Sequence, residues 1–469
     1  MPTPDSQERS PLYSPGFGQS LVCFCGILLT IAIGLFVFSI SLHSLMFLCL
    51  MWTAIHVRLL GYDYQAIREM MNAGIVRALP ALYIFMLIGF LIAALMHSGT
   101  VAALIFHGLN LLQPSWFLAA GLVLCSLMSV ATGTSWGTAG TLGVVLIGIG
   151  SALSIPLPLV AGMVVCGATF GDKMSPVSDT TNLAAMSAET TLFRHIGAML
   201  YTTVPAFVIS FLVFLWLGMR YAGEDLPQAS IVEIQQGLSS QYSLGLIPTL
   251  LPLIVMLGLS LRRYAAEVCM CASIVTAIAV AMIYQGGNPA TVLNSLWSNS
   301  PGQTGIVMLD ELLGRGGLLS MSWTLLLSIM ALALGGLLFQ SGILPELLKG
   351  FIARLRSRLA LIAGTLVSGV ASNMAMGEAY ISIILNCQLF RKAYEALGLD
   401  RVMVSRTVEE GATMSTGLIP WTTAGAFYAA TLGVPVLDYL PYAFLNYLNP
   451  IVSLIMAGLG VGLLKAKIS

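Results

Sequence analysis

Charge is what this sequence has least of. Asp, Glu, Lys and Arg make up 9% of its 469 residues, against about 25% in soluble globular proteins, so a water-soluble domain is excluded. Twenty Lys and Arg balance twenty Asp and Glu, and no basic cluster is interleaved with aromatics, so nothing points to nucleic acid. The polar–apolar alternation of a transmembrane β-strand is absent too. Histidine occurs five times, with no metal-ligand spacing and no nucleophile–base pair. Neither an enzyme, nor a cofactor, nor a tightly bound metal is therefore expected. Of eight cysteines, Cys23/Cys25 and Cys269/Cys271 are two apart. Such pairs do not share a helix face, and they read as small packing residues. The opening MPTPDSQERSPLYSPG lacks the short basic stretch and cleavage site of a signal peptide, so the first apolar run, Leu21–Ile40, is expected as a retained helix.

What the sequence does have is apolar length. It is 57% hydrophobic, with mean hydropathy +0.91, and runs of about 20 residues recur, each enough to cross ~30 Å of hydrocarbon as a helix. The expected spans are 21–40, 42–58, 80–98, 158–182, 196–219, 243–260, 264–284, 318–340, 402–430 and 447–465. Two polar-interrupted stretches, 115–152 and 359–389, read either as one long helix or as two half-length ones. Lys349, Arg354, Arg356 and Arg358 precede the second, and Arg391, Lys392 and Arg401 follow it. Cytoplasmic loops carry the excess Lys and Arg, so a hairpin that enters and leaves on the cytoplasmic side keeps both clusters inside. The first stretch has no Lys or Arg on its flanks, which suits a hairpin dipping in from outside. With both termini cytoplasmic, and Lys173 and Arg406 set aside, the other eighteen of the twenty basic residues divide sixteen inside to two outside, Arg220 and Arg315.

The chain also repeats itself. MHSG (96–99) resembles FQSG (339–342), and a spacing of 240 pairs Val130-Ala131 with Val370-Ala371, Gly137 with Gly377, and Gly171 with Gly411. Each half reads two spans, an interfacial segment, a span, a hairpin, an interrupted span and a final span. Five spans per half is odd, so the second half is expected to be inverted. The expected fold is an all-α integral membrane protein of about ten transmembrane helices plus two re-entrant hairpins in two inverted repeats. It divides into an N-terminal tail 1–20, a first repeat 21–219, a linker 220–242 and a second repeat 243–469. Inverted repeats with discontinuous helices are the pattern of secondary transporters.

Four polar stretches fall at matching places in the two halves: TGTSWGTAGTLG (132–143), GDKMSPVSDTTNLAA (171–185), ASNMAMGEAYIS (371–382) and EEGATMSTGLIPWTTAGA (409–426). Non-helical backbone at membrane depth must line a cavity or be buried in protein. Freed carbonyls, carboxylates and hydroxyls then offer a hard cation the oxygen ligands it prefers. The same acids hold protons when water is scarce, and a site that takes either, facing alternate sides, performs antiport. The candidate ion- or substrate-binding residues are Asp172, Asp179, Thr180, Asn182, Glu378, Glu409, Thr132, Thr134, Ser135 and Asn373. Asp179, like Ser178, also reads as the N-cap of a resumed helix. The hydroxyls also suit simple helix packing. Arg406 and Glu410 are four apart and suit a helical ion pair, which leaves Glu409 as the functional acid of that doublet.

These stretches resemble the NhaC-type Na+/H+ antiporters of the ion transporter superfamily. FGDKMSPVSDTTNLA is similar to that family's signature, and ATGTSWGTAGTLG, GEAYISIIL and GLIPWTTAGAFYAATLGVP resemble further family blocks in the same order. The resemblance covers about 60–450. It implies a bacterial cytoplasmic (inner) membrane location and exchange of Na+, with Li+ as a further cargo, for H+. Asp172, Asp179, Asn182, Glu378 and Glu409 fall on the resembling motifs. Related members exchange malate or lactate with H+ or Na+, so a small-carboxylate antiporter is the alternative. One departure stands out: the family's Glu-Asp, Gly-Thr and Ser-Pro near 409 is here Glu409-Glu410, Gly411-Ala412 and Thr416-Gly417. The expected partners are the two ions and the lipid bilayer. A homodimer is an open expectation.

Overall fold

The computed structural model describes residues 14–221 and 228–465. Most of the expected N-terminal tail, and residues 222–227 of the expected linker, lie outside them. The described residues are overwhelmingly helical, and no strand beyond a single isolated bridge occurs among them.

Ten helices among the described residues are long and apolar enough to cross a membrane, or up to twelve if each of two bent pairs counts as one span. Seven of the ten expected spans are among them, and 243–260 and 447–465 fall in the two bent pairs; 402–430 is the one that does not appear. The other three helices, Pro114–Thr132, Ser135–Ala152 and Arg358–Met376, are arms of the two polar-interrupted stretches. Each stretch is two helices, and the arms are not half-length. Arms of 18 and 19 residues reach about 27 Å at 1.5 Å per residue. Conversely, Arg401–Thr416 is too polar to pass as a span, yet every residue from Val402 to Ser415 is buried. It crosses the bundle wrapped in protein rather than lipid. Outward faces are apolar instead, as on Leu192–Arg220, where Val204, Val208, Leu212 and Trp216 are exposed.

Both stretches fold back as helical hairpins. In the first, Met128 lies beside Thr141 and Phe117 beside Gly150, so the arms run antiparallel. In the second, Asn386 bonds both Ser368 and Ser372, and Tyr394 bonds Thr365. The tips turn on Gly133 (φ 68°) and Gly377 (φ 66°), a left-handed conformation that only glycine adopts at little cost. Behind each tip, a side chain caps the returning helix: Thr134 accepts from the Gly137 N–H, and Glu378 from the Ile381 N–H.

The order of elements repeats. The series Leu79–His97, first hairpin, Leu157–Met174, Asp179–Ser187, Leu192–Arg220 is matched by Leu318–Gln340, second hairpin, Arg401–Thr416, Thr423–Leu432, Phe444–Leu459. The register of this match is 244, not the 240 read from identities. Gly133 matches Gly377 at the tips. Ser129 bonds the Ala168 carbonyl as Asn373 bonds that of Ala412, at 2.7 and 2.6 Å. Gly167 closes on the Leu122 carbonyl as Gly411 closes on that of Leu366. The two registers differ by four residues, about one helical turn, so a shifted match keeps the same faces aligned and is easily mistaken for the true one.

The halves are also intertwined. Leu42–Leu59 packs on Leu318–Gln340 of the second series, while Ala266–Ile283 packs on Leu79–His97 of the first. Backbone contact at Gly74 and Gly336 draws Tyr64–Arg77 against Leu318–Gln340.

The close approaches generate a stability prediction. A Cβ at Gly167 would meet Cys125 Cβ at 2.6 Å and the Leu122 carbonyl at 2.7 Å, and one at Gly411 would meet the Leu366 carbonyl at 2.8 Å. Gly167→Ala and Gly411→Ala are each expected to cost about 1–3 kcal/mol by overpacking and to lower the unfolding temperature in detergent. Gly197→Ala, with nothing within 4 Å, should not lower it. Equal unfolding temperatures for all three would contradict the helix contacts.

Candidate functional site

Each broken helix stops where its hairpin tip arrives. Leu157–Met174 ends and the chain resumes as Asp179–Ser187, with the first tip packed against the break: Gly133 abuts Val177, and Ser175 Oγ donates to the Val130 carbonyl at 2.7 Å. Arg401–Thr416 ends and resumes as Thr423–Leu432, and the Thr423 N–H donates to the Gly377 carbonyl at 2.8 Å. The backbone groups freed at each break are thus partly taken up by the opposing tip, as burial requires.

Between the two breaks lies a cavity of about 350 Å³. Asp172 lines it, on the last turn of its helix. Its Oδ2 accepts from Ser135 Oγ at 2.8 Å, and its Oδ1 from Ser178 Oγ at 2.6 Å. One hydroxyl comes from the hairpin tip and the other from the far side of the break. Hydrogen bonds to a charged group are worth about 1.5–3 kcal/mol each, so the two steady the carboxylate and aim it. Asp179 and the buried Glu378 also line the cavity, with Thr132, Thr134, Ser135 and Thr180. Trp136, stacked with Phe85 and Phe427, belongs to its wall.

Seven of the ten candidates therefore converge: Thr132, Thr134, Ser135, Asp172, Asp179, Thr180 and Glu378. Three stand behind the wall. Asn182 Nδ2 donates to the Pro176 and Ser178 carbonyls at 3.1 and 2.7 Å and shapes the break. Asn373 Nδ2 donates to the Ala412 carbonyl and to Ser415 Oγ, fastening the second hairpin to Arg401–Thr416. Glu409 is fully buried beside His195, with Nε2 to Oε2 at 2.8 Å. The expected Arg406–Glu410 pair forms, at 3.6 Å between Nε and Oε1. The capping position before the resumed helix is Ser178, whose hydroxyl turns to Asp172 instead, and Asp179 is the first helical residue.

Several lining residues escaped the sequence reading. Arg263 and Tyr264 come from the short turn between Leu246–Leu261 and Ala266–Ile283, and Glu267 from the first turn of the latter helix; no local motif marks them. Thr416 and Thr423 also line the cavity; the register of 244 makes them the counterparts of Asp172 and Asp179. His195 was missed because the expected span began at 196, whereas the helix begins at Leu192.

The profile of the Na+/H+ antiporter family matches residues 167–461, which hold both breaks and the second hairpin. The chain belongs to the Na+/H+ antiporter family. It is 38% identical over 444 residues to the Na+/H+ antiporter NhaC of Alkalihalophilus pseudofirmus, covering 94% of this chain and 96% of that one. The malate-2H+/Na+-lactate antiporter of Bacillus subtilis is 35% identical, with 83% of each chain covered. The arginine/ornithine antiporter ArcD of Halobacterium salinarum is 33% identical, over 97% of this chain and 94% of that one. Among the described residues, no group of three or more His, Cys, Asp or Glu is placed to hold a metal ion. The antiporter's cavity offers isolated carboxylates and hydroxyls instead.

Removing either hydroxyl from Asp172 of this antiporter tests the arrangement. Ser135→Ala and Ser178→Ala should each weaken apparent cation affinity by about tenfold or more, the equivalent of one charge-assisted hydrogen bond. Cation-dependent flux in vesicles measures it, and unchanged half-saturation in both variants would mean that Asp172 is not held this way at the site.

Proposed function

We propose that this chain is a secondary antiporter that exchanges Na+ for H+, with Li+ as a further cargo, in a bacterial cytoplasmic membrane. The observation that carries this reading is the cavity at the paired helix breaks, where carboxylates and hydroxyls converge. Its lining carries four acids, Asp172, Asp179, Glu267 and Glu378, against one base, Arg263. That excess of negative charge suits a cation and disfavours a free dicarboxylate. The hydroxyls of Ser135, Thr134 and Thr180, with the carboxylate of Asp172, supply the hard oxygen donors that sodium prefers.

In this reading the second half is inverted relative to the first, the first hairpin enters and leaves from outside and the second from the cytoplasm, and both termini are cytoplasmic. The turn carrying Arg262 and Arg263 then lies in the cytoplasm, so the cavity, lined by Arg263 of that turn and by Glu267 at the start of the next helix, opens inward. Binding a cation offsets the charge of Asp172, which lowers the cost of carrying it through an apolar environment. A bound proton balances the charge for the return. Alternating access follows when the hairpins and broken helices move against the flanking helices.

Exchange of a small carboxylate is the second reading. It is favoured by the likeness to the malate–lactate antiporter and by the helix N-termini at Ser135 and Ala379, which favour anions.

Liposomes holding the purified protein under an imposed pH gradient separate the two. Proton movement triggered by Na+ or Li+ supports the first reading, and movement triggered only by malate or lactate replaces it with the second. Asp172→Asn and Glu378→Gln should each abolish Na+-driven proton movement while leaving expression and membrane insertion intact. Normal flux in both variants would refute the site.

A further inference from the structure

Behind the cavity wall, out of reach of its lining, lies a second polar cluster. His195 from Leu192–Arg220, Lys173 from the end of the first broken helix, and Arg406, Glu409 and Glu410 from the second are all fully buried. Arg406 Nη1 donates to the Gly462 carbonyl at 2.9 Å, and Thr202 donates to Glu410. Lys173 Nζ has no hydrogen-bond partner, and it faces Glu409, Glu410 and Arg406. Cys387, from the returning arm of the second hairpin, faces Glu409, and Tyr394 of that arm faces Arg406 and Glu410. Asp172 also feels Glu409. Buried ionisable groups in a membrane bundle are costly and default to function, yet none of these lines the cavity.

The hydrogen bonds of His195 fix what this cluster can do. Ser405 Oγ donates to the Val402 carbonyl at 3.0 Å. It therefore accepts from His195 Nδ1, 2.8 Å away. With Nδ1 holding its hydrogen, Nε2 faces Glu409 Oε2 at 2.8 Å, and two lone pairs cannot meet at that distance. One proton must lie between them. Imidazole with carboxylic acid and imidazolium with carboxylate are the two descriptions, and both are neutral overall. When that proton leaves, the ring changes tautomer: Nε2–H donates to the carboxylate, and Nδ1 accepts from Ser405, which releases the Val402 carbonyl. The pair then carries one negative charge beside Lys173. Protonated and deprotonated forms are both fully hydrogen-bonded, so the pair can load and unload without leaving an orphan polar group.

Thr181 ties this pair to the cavity. Its one hydroxyl hydrogen has three acceptors in reach: the Lys173 carbonyl at 3.0 Å, the Asp172 carbonyl at 3.2 Å and Glu409 Oε1 at 3.5 Å. In this state the helix-end carbonyls are nearer. An anionic Glu409 draws the hydroxyl away from the turn that carries Asp172. We propose that His195 and Glu409, with Lys173 beside them, form a proton-binding site separate from the cation cavity, and that Thr181 couples the two. The proposal rests on the antiport reading and gives the proton its own place within it. Cation at Asp172 and proton at His195–Glu409 then exclude each other through Thr181 and through charge, rather than by sharing one carboxylate.

Two assays in liposomes test it: exchange of radioactive Na+ for unlabelled Na+ at equal pH on both sides, which needs no net proton movement, and Na+-driven proton movement across pH. His195→Gln and Glu409→Gln should lose at least tenfold in Na+-driven proton movement while Na+–Na+ exchange persists. Thr181→Val should lower the number of protons moved per Na+. Ser405→Ala, a small change that keeps the pair intact, should shift the pH midpoint of Na+-driven flux by half a unit or more. Loss of both activities together in properly inserted His195 and Glu409 variants would overturn the separate site. So would an unaltered pH profile in Ser405→Ala. A wild-type protein that exchanges no Na+ in either assay would overturn the antiport reading itself, and this inference with it.

Discussion

A carboxylate in an apolar bundle must be held by something, and here that something is the pair of hydroxyls on Asp172. Ser135 reaches it from the tip of the first hairpin, and Ser178 from beyond the break in its own helix. The tip can arrive only because Gly133 turns the chain back and because Gly167 lets the hairpin's first arm lie close on Leu157–Met174. The break persists because its freed groups find partners: Ser175 on the Val130 carbonyl, Asn182 on the Pro176 and Ser178 carbonyls. The cavity is the space that these satisfied hydrogen bonds leave open. Wherever the fold departs from regular helix at this depth, it does so to serve that carboxylate or its counterpart.

The counterpart is where the repeat stops being symmetric. At a spacing of 244, Asp172 matches Thr416, Asp179 matches Thr423, and Thr134 matches Glu378. Three of the four acids of the cavity, Asp172, Asp179 and Glu378, thus stand opposite a hydroxyl at this spacing. A symmetric site would set like charges against one another. Distributing the acids one way at the tips and the other way at the breaks keeps oxygen ligands on both sides while limiting the repulsion that a cation must offset. Resemblance between the halves survives in the glycines that set packing, and it fades in the residues that do the chemistry.

Much of this was legible beforehand, for a physical reason. A polar run such as GDKMSPVSDTTNLAA inside apolar sequence has few explanations, so the broken helices, the tips and seven lining residues could be placed from local pattern. What could not be read depends on distant chain. Arg263 and Glu267 reach the cavity from a turn and the helix start beyond it, with no distinguishing motif. The register slipped by one turn because an apolar helix looks much the same after four residues. Arg401–Thr416 counted as part of a span, although its surface is covered by protein throughout; hydropathy cannot tell lipid from a neighbouring helix. Asn373 and Asn182 carry amide nitrogens engaged in holding backbone, and neither lines the cavity. Sequence shows that a group is polar, not which atom is already committed.

The adjacency of Asp172 and Lys173 follows from the same geometry. Successive residues on a helix point about 100° apart, so one residue at the end of Leu157–Met174 faces the cavity while the next faces the buried cluster at His195 and Glu409. Two adjacent residues therefore serve the two environments, and their carbonyls are the ones within reach of Thr181. Charge added on the cavity side is felt on the other, because charges buried in a protein interior are weakly screened. In a site built this way the distance between cargo and counter-cargo is set by the helix itself, and the break just beyond it is what lets that last turn respond.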